Sequence, residues 1–537
     1  MKILVVGSGP SGLHFALTAL RKGHAVTMLD VGNTRPAIAA PAESFMGLKR
    51  SLPDPVEYFL GAEYGGITLP SPNPTDDPEY YGLPPSKDYV FAPDPRFRFR
   101  GDGITPLRSF AAGGLAECWT GGSYPFDDDD LADFPFTHAA IAPYYGEVAR
   151  RIGVGGEEGD DLAYAHHDNL SAPTPLDASA ALLAARYASR RERLQARHGV
   201  RFGRSRQAVL TSAHGEREAC RSCGRCLWGC PNGALYTPSI TLRECMAFET
   251  FAYRSGQFVS HFETDGGGGL AGAVTFPVTG GAAERFTADV HVLAAGAIGT
   301  SNLVLRTQYK ASGEIVRLEG LMDNRQVLAP FFNLAMLGRP YEPDSYQYHQ
   351  LAFGLPQERP RHYVHGQVTT LKTGAAHPVL QSLPLDIRSA TGVLRALRSG
   401  LGVANLNYAD TRRAGNYLTL SADGQEWPAL TARYRPAPEE AAEIKATLRK
   451  VGRFFAAIGA PFVPGMAHVR PIGAGVHYGG TLPMSAEKRE WSVSPQGQSH
   501  DFANLYVVDG AAFPFMPAKN LTFTLMANAA RIADSLC

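Results

Sequence analysis

Apolar positions set two rhythms at the start of the chain. Residues 2–6, Lys-Ile-Leu-Val-Val, make a short unbroken apolar run that predicts a buried strand. Leu13, Phe15, Ala16, Leu17, Ala19 and Leu20 then place small and apolar side chains along one side of a helix. Gly23 ends that helix, and Ala25 to Leu29 predicts a second strand, closed by Asp30. Further along, residues 289–294 predict an apolar strand running into a turn of small residues, Leu505 to Val508 another strand, and Ala527 to Leu536 a closing helix. No internal repeat is visible.

Between the first strand and its helix stands Gly7-Ser8-Gly9-Pro10-Ser11-Gly12. This is the G-x-G-x-x-G turn in the strand, turn and helix context that its chemistry needs. Gly7 permits the tight turn, Gly9 lets a pyrophosphate approach the backbone, Gly12 lets helix and strand pack closely, and the helix N-terminus faces the anion. Asp30 is placed to accept the ribose hydroxyls. The series predicts a dinucleotide site without separating FAD from NAD.

Composition narrows the class. The chain has 537 residues, 44% hydrophobic and 19% charged, an ordinary globular composition whose length fits two large intertwined domains. Lys+Arg and Asp+Glu both number 51, so no polyanionic partner is implied and nucleic-acid binding is not expected. No apolar run approaches the roughly 18 to 20 residues needed to span a bilayer. Ile3 to Val6 is too short for the core of a secretory signal, so a soluble, cytoplasmic protein is the expectation. Seven cysteines do not make a disulfide scaffold, and four of them, Cys220, Cys223, Cys226 and Cys230, fall within eleven positions, which suggests a metal site in a reducing compartment.

Four further segments decide between cofactors. They are Ala112-Gly113-Gly114-Leu115-Ala116-Glu117-Cys118-Trp119, residues 288–300, Val476-His477-Tyr478-Gly479-Gly480-Thr481, and residues 504–510 running on to Asn520-Leu521-Thr522. In this order and spacing the chain resembles the glucose-methanol-choline (GMC) oxidoreductases, FAD-dependent enzymes that oxidise alcohols. The resemblance is weakest between about residues 310 and 465, where the family's substrate domain varies most. It implies an α/β fold with a Rossmann-like, doubly wound FAD domain from residues 1–150, 200–310 and 465–537. Residues 151–199 and 311–464 would form a second, substrate domain on an antiparallel sheet.

The resemblance also assigns residues. Gly114, Cys118, Trp119, Ala295, Gly296, Asp509 and Gly510 would join Gly7, Gly9, Gly12 and Asp30 around the flavin, with His477 and Asn520 before its reactive edge. Taking a hydride from an alcohol carbon requires removal of the hydroxyl proton, which suits an imidazole such as His477. Asn520 would hold the substrate oxygen; capping a helix over Leu521 to Met526 is its other reading. In most relatives a proline stands where this chain has Leu521.

Cys220-x-x-Cys223-x-x-Cys226-x-x-x-Cys230-Pro231 reproduces the cysteine run of bacterial ferredoxins. The expectation is an iron-sulfur cluster, either a three-iron one on Cys220, Cys223 and Cys226 or a four-iron one completed by Cys230 or Cys245, relaying electrons from FAD to an external carrier; some bacterial sugar dehydrogenases of this superfamily look similar here. Zinc and a metal-free loop of buried thiols remain open. Cys118 replaces the histidine to which sugar-oxidising relatives attach their flavin, so FAD is expected to be noncovalent, a thioether being the alternative. The run Asp127 to Asp130 reads as a solvated loop or helix start, or else as a dock for a cationic sugar. Together these features predict an FAD-dependent dehydrogenase that oxidises an alcohol group of a sugar-like or aminosugar small molecule. An oxygen-using oxidase without a cluster and a non-redox lyase on the same fold are the alternatives.

Overall fold

The computed structural model describes residues 1–34, 43–61, 84–162, 165, 169–370, 380, 383–421 and 424–536. Its first layer is a five-stranded parallel sheet in the order Leu505–Val507, Val290–Leu293, Lys2–Val6, Ala25–Leu29 and Phe251–Arg254. Parallel neighbours cannot be joined by tight hairpins, which is why the strands come from widely separated stretches of chain. Ile3, Leu4, Val5, Val6, Val290, Val292 and Leu293 are all buried. A sheet covered on both faces has no polar side to alternate with, hence the unbroken apolar runs. The opening helix Pro10–Arg21 packs against the closing helix Thr522–Asp534. That closing helix begins at Thr522 rather than Ala527 because Phe523 and Met526 extend its buried face.

The opening turn closes on a contact that only glycine allows. A β-carbon at Gly12 would sit 2.1 Å from the Gly7 carbonyl oxygen and 3.1 Å from Ala294 Cβ. Gly7 has φ 102°, in the left-handed region. Helix and strand therefore approach closely enough for the turn at residues 294–296 to lie beside the first one.

The second layer is a six-stranded antiparallel sheet in the order His468–Val469, Gln326–Phe332, Leu401–Asn407, Val364–Thr370, Leu351–Leu355 and Arg201–Arg204. Side chains alternate across it. One face buries Val327, Ala329, Phe331, Ala404, Leu406, Val368 and Phe353 under the helix Glu440–Ala457, through Val451, Phe454 and Phe455. The other face carries Gln326, Asn405 and Gln367. Arg201–Arg204 and His468–Val469, counted above with the flavin pieces, pair here as the two edge strands. For the first of them the reason is packing, since Phe202 belongs to the same apolar cluster as Phe353 and Phe454. Among the described residues no helix is long and apolar enough to cross a membrane.

Gly12→Ala should lower stability by about 1–3 kcal/mol, the usual cost of overpacking a filled site. A thermal melt of the variant beside the parent protein checks this; an unchanged melting temperature would contradict the close approach.

Candidate active site

A cavity of about 470 Å³ is lined by residues of both sheets. One end is formed by the opening turn, Asp30, Val259 and residues 294–299. The helix Pro10–Arg21 has Gly9 at its N-cap and no side chain capping it, so its first backbone N–H groups are available to an anion. Asp30 Oδ2 accepts hydrogen bonds from Ser8 Oγ and Tyr253 OH, and burial pushes its carboxyl up to about 6. Asp509 accepts from Ala511 N at 3.0 Å and from Thr300 Oγ1, and burial likewise pushes it up to about 6. Arg108 also lines the cavity, with its guanidinium over the rings of Phe97 and Phe99 and its Nη1 buried without a partner. A buried donor left unmatched is costly, and a diphosphate would match it. The residues present therefore fit an anionic dinucleotide such as FAD.

The other end holds His477. Val476 before it has φ 54°, a left-handed conformation that a β-branched residue adopts only under constraint, and a β-carbon at Gly475 would lie 2.3 Å from Asn324 O. This tight turn sets the direction in which the imidazole leaves the chain. His477 is buried, its Nδ1 has no partner, and desolvation pushes it down to about 4, so the ring is neutral at pH 7. Asn520 lines the same cavity, and its Oδ1 accepts from Gln367 Nε2 at 3.1 Å, leaving its amide N–H groups for a ligand. Beside it the fully buried Lys519 Nζ donates to Asp130 at 2.6 Å and to Asp127 at 2.8 Å.

Several expectations change here. Asn520 does not cap the closing helix, whose N-cap is Leu521 without a side-chain bond, because its Oδ1 is engaged by Gln367. Leu521 has φ −77°, close to the angle proline enforces, so the turn tolerates the exchange. Asp127 and Asp130 are no dock for a cationic sugar, since Lys519 occupies both carboxylates. Gly7, Gly9, Asp30, Gly114, Cys118, Trp119, Ala295, Gly296, Asp509 and Gly510 all line the cavity, while Gly12 lies behind it under the helix. Burial pushes the Cys118 thiol up to about 12, which removes the thiolate that a thioether would require.

The cysteine run is corrected as well. Cys220, Cys226 and Cys230 pack with Leu227 against Leu210, Leu235, Tyr346 and Tyr348, and desolvation followed by the neighbouring thiols raises the Cys226 pKa. Among the described residues no three His, Cys, Asp or Glu side chains converge into a metal-ligand set, Cys223 included. Cys245 lies in the core beneath the opening helix, with its thiol toward Leu13 O, and belongs to a different cluster. Metal binding needs convergent ligands, and the sulfur atoms of this loop do not converge, so neither the iron-sulfur cluster nor zinc is supported.

Sequence reasoning passed over Gln326, Gln367, Asn405, Arg470, His349 and Arg108, all of which line the cavity. A signal existed for some of them. His365, Gln367 and Thr369, like Asn405 and Asn407, recur at every second position of otherwise apolar strands, the mark of one polar, inward-facing side.

The sequence model of the GMC oxidoreductase family matches residues 412–529. Residues 412–529 thus carry a GMC oxidoreductase domain. That family binds FAD and acts on alcohol groups. The chain is 26% identical over 471 residues to the 6'''-hydroxyparomomycin C oxidase of Streptomyces lividus, covering 80% of the chain and 79% of that protein. It is 24% identical to the paromamine 6'-oxidase of Streptomyces fradiae, covering 99% and 91%. It is also 24% identical to the 2-methyl-1,2-propanediol dehydrogenase of Mycolicibacterium austroafricanum, covering 99% and 94%. Among solved structures, pyridoxine 4-oxidase from Mesorbium loti superposes with a TM-score of 0.61 at 14% identity, over 99% of this chain and 98% of that one. An FAD-dependent oxidoreductase from Chaetomium thermophilum does so with 0.60, also at 14% identity and over 99% and 98%. These two superpositions establish the shared fold.

Two outcomes test this arrangement. Lys519→Met strands the buried Asp130 carboxylate and should cost about 3–5 kcal/mol, read by denaturant unfolding. Acid precipitation should release the flavin into the supernatant from both the parent protein and Cys118→Ser; colour that stays in the parent's pellet and leaves in the variant would reveal a covalent link.

Proposed function

We propose that this chain oxidises an alcohol carbon of a small polyhydroxylated molecule, with His477 as the base and Asn520 as the holder of the reacting oxygen. The observation that carries this reading is a neutral, desolvated imidazole sharing a cavity with an oriented amide, while the far end of that cavity fits a dinucleotide. Gly7, Gly9, Asp30, Arg108, Asp509 and Gly510 would hold FAD, which when bound supplies the acceptor for the hydride.

The protein's own part is to position and deprotonate the alcohol. His477 Nδ1 is enclosed by protein, so Nε2 is the atom that receives the hydroxyl proton. The Asn520 amide N–H groups donate to the same oxygen and stabilise the negative charge that develops as the proton leaves. Gln367 keeps those donors turned the right way by engaging Asn520 Oδ1. Water is kept out by burial, which strengthens both interactions. Reoxidation is left to an acceptor from solution, and the cysteine run takes no part in it. The relatives named above are oxidases and a dehydrogenase, which supports the redox reading over a lyase.

His477→Ala should retain FAD yet slow anaerobic reduction of the flavin by substrate by about 10² to 10⁴, the usual worth of a general base. Unchanged rapid-mixing rates in a folded, yellow variant would overturn the role. The pH dependence has a defined sign: His477 stays neutral until the pH falls to about 4, so the rate holds through pH 6.5 and is lost only as the pH approaches about 4. An acid limb centred on pH 6.5 in pH-jump measurements would contradict a dry site.

A further inference from the structure

The aim of His477 rests on its backbone. Its Nδ1 has no hydrogen-bond partner, so what directs the ring is the turn at residues 475–477, where Val476 stands at φ 54°. A strained turn of this kind persists only where its surroundings hold it. The hold comes from Asn324. Its backbone N–H donates to His477 O at 3.1 Å, and its backbone carbonyl oxygen is the atom that a β-carbon at Gly475 would meet at 2.3 Å. The same residue reaches the other half of the site. Asn324 Nδ2 donates to Pro517 O at 2.8 Å, three residues before Asn520, and to Tyr408 O at 2.9 Å.

The side chain has one workable orientation. Asn324 is fully buried and its Oδ1 has no partner, so turning the amide over would set that oxygen against two carbonyl oxygens. The backbone on either side is tied down as well. Asp323 N donates to Asp410 Oδ2 at 3.0 Å, and Tyr408 N donates to Arg325 O at 3.0 Å. Asp410 and Thr411 in turn pair with Met516 and Phe515, which lead into Pro517. Asn324 lies outside the cavity lining, although Gln326, two residues on, belongs to it. It therefore acts through the segments it joins.

We infer that Asn324 is a positioning residue of this site, a clamp that holds the His477 turn and the segment leading to Asn520 in one register so that base and amide meet the same oxygen. This rests on the alcohol-oxidation reading above. The clamp adds no group to the reaction; it fixes the distance between two that take part.

The test is anaerobic reduction of the FAD-loaded protein at pH 7 by glucose, 1,2-propanediol or 2-methyl-1,2-propanediol, whichever reduces the parent fastest. Asn324→Ala should lower the limiting reduction rate by about 10- to 100-fold while the half-saturating substrate concentration moves by less than about threefold. Asn324→Asp keeps the shape without the amide donors and should also lose at least about tenfold. Asn333 is an equally buried amide, donating to Ser179 O just past the far end of the strand Gln326–Phe332. Asn333→Ala should lower the melting temperature yet leave the reduction rate within about twofold. The losses in Asn324→Ala and His477→Ala should not multiply, so the double variant should be at least about fivefold faster than their product requires. Losses that multiply, a folded Asn324→Ala or Asn324→Asp that matches the parent, or an equal slowing in Asn333→Ala each overturns the inference and leaves the alcohol-oxidation reading intact. The parent protein gives a reading that needs no variant. Its Asn324 amide should exchange hydrogen at least about a hundredfold more slowly than a free chain, and exchange at the free-chain rate overturns the clamp. If no probe reduces the parent, the alcohol-oxidation reading fails, and this inference fails with it.

Discussion

Exclusion of water from the seam between the two sheets governs the chemistry of every polar group around the cavity. In such a place the neutral form of a titratable group is favoured, which lifts acids and lowers bases. Asp30, Asp509 and Cys118 are raised and His477 is lowered, all chiefly by desolvation. The same dryness makes unmatched polar atoms costly, so most are paired within the protein. The exceptions then carry information. Arg108 Nη1 and Asn405 Oδ1, on residues that line the cavity, are both buried without partners, where a ligand would complete them.

Burial also forces charged groups into pairs, and one such pair connects the layers. Lys519 cannot stay buried without Asp130 and Asp127, and the Asp130 carboxylate cannot stay buried without it. The pairing fixes the segment at Lys519 against the turn at residues 127–130. The next residue, Asn520, then reaches Gln367 on the antiparallel sheet. A continuous chain of polar contacts thus runs from the turn at Asp130 through the start of the closing helix to the wall of the cavity. Asn520 is oriented from both sides, by its own backbone neighbour and by an amide from the opposite layer.

The cysteine run shows the opposite relation between spacing and site. Its intervals match those of a cluster-binding loop, but ligation depends on where the sulfur atoms point after the loop has packed. Here Trp228 meets Phe59 on one side, and Tyr346 and Tyr348 with Leu235 form the other. Burial in these surroundings raises the Cys220 and Cys226 thiols. The loop still matters to the cavity, because Leu227 and Tyr348 are part of its lining.

How much could be read from the chain alone follows from the range of the interactions concerned. Strand, turn and helix at residues 2–29 depend on neighbours within a few positions, and Gly7, Gly9, Gly12 and Asp30 declare a dinucleotide turn because that geometry is local. The order of motifs around His477 and Asn520 pointed to the family for the same reason. The polar wall of Gln326, Asn405 and Gln367, the use of Asp130 to bury Lys519, and the pairing of Arg201–Arg204 into the antiparallel sheet were not legible. Each joins residues far apart in the chain, and no local pattern records which distant partner a buried polar group will meet. The sequence therefore specified which local turns could bind an anion and which side chains could do chemistry, while packing alone decided which of them share one dry cavity and in what protonation state.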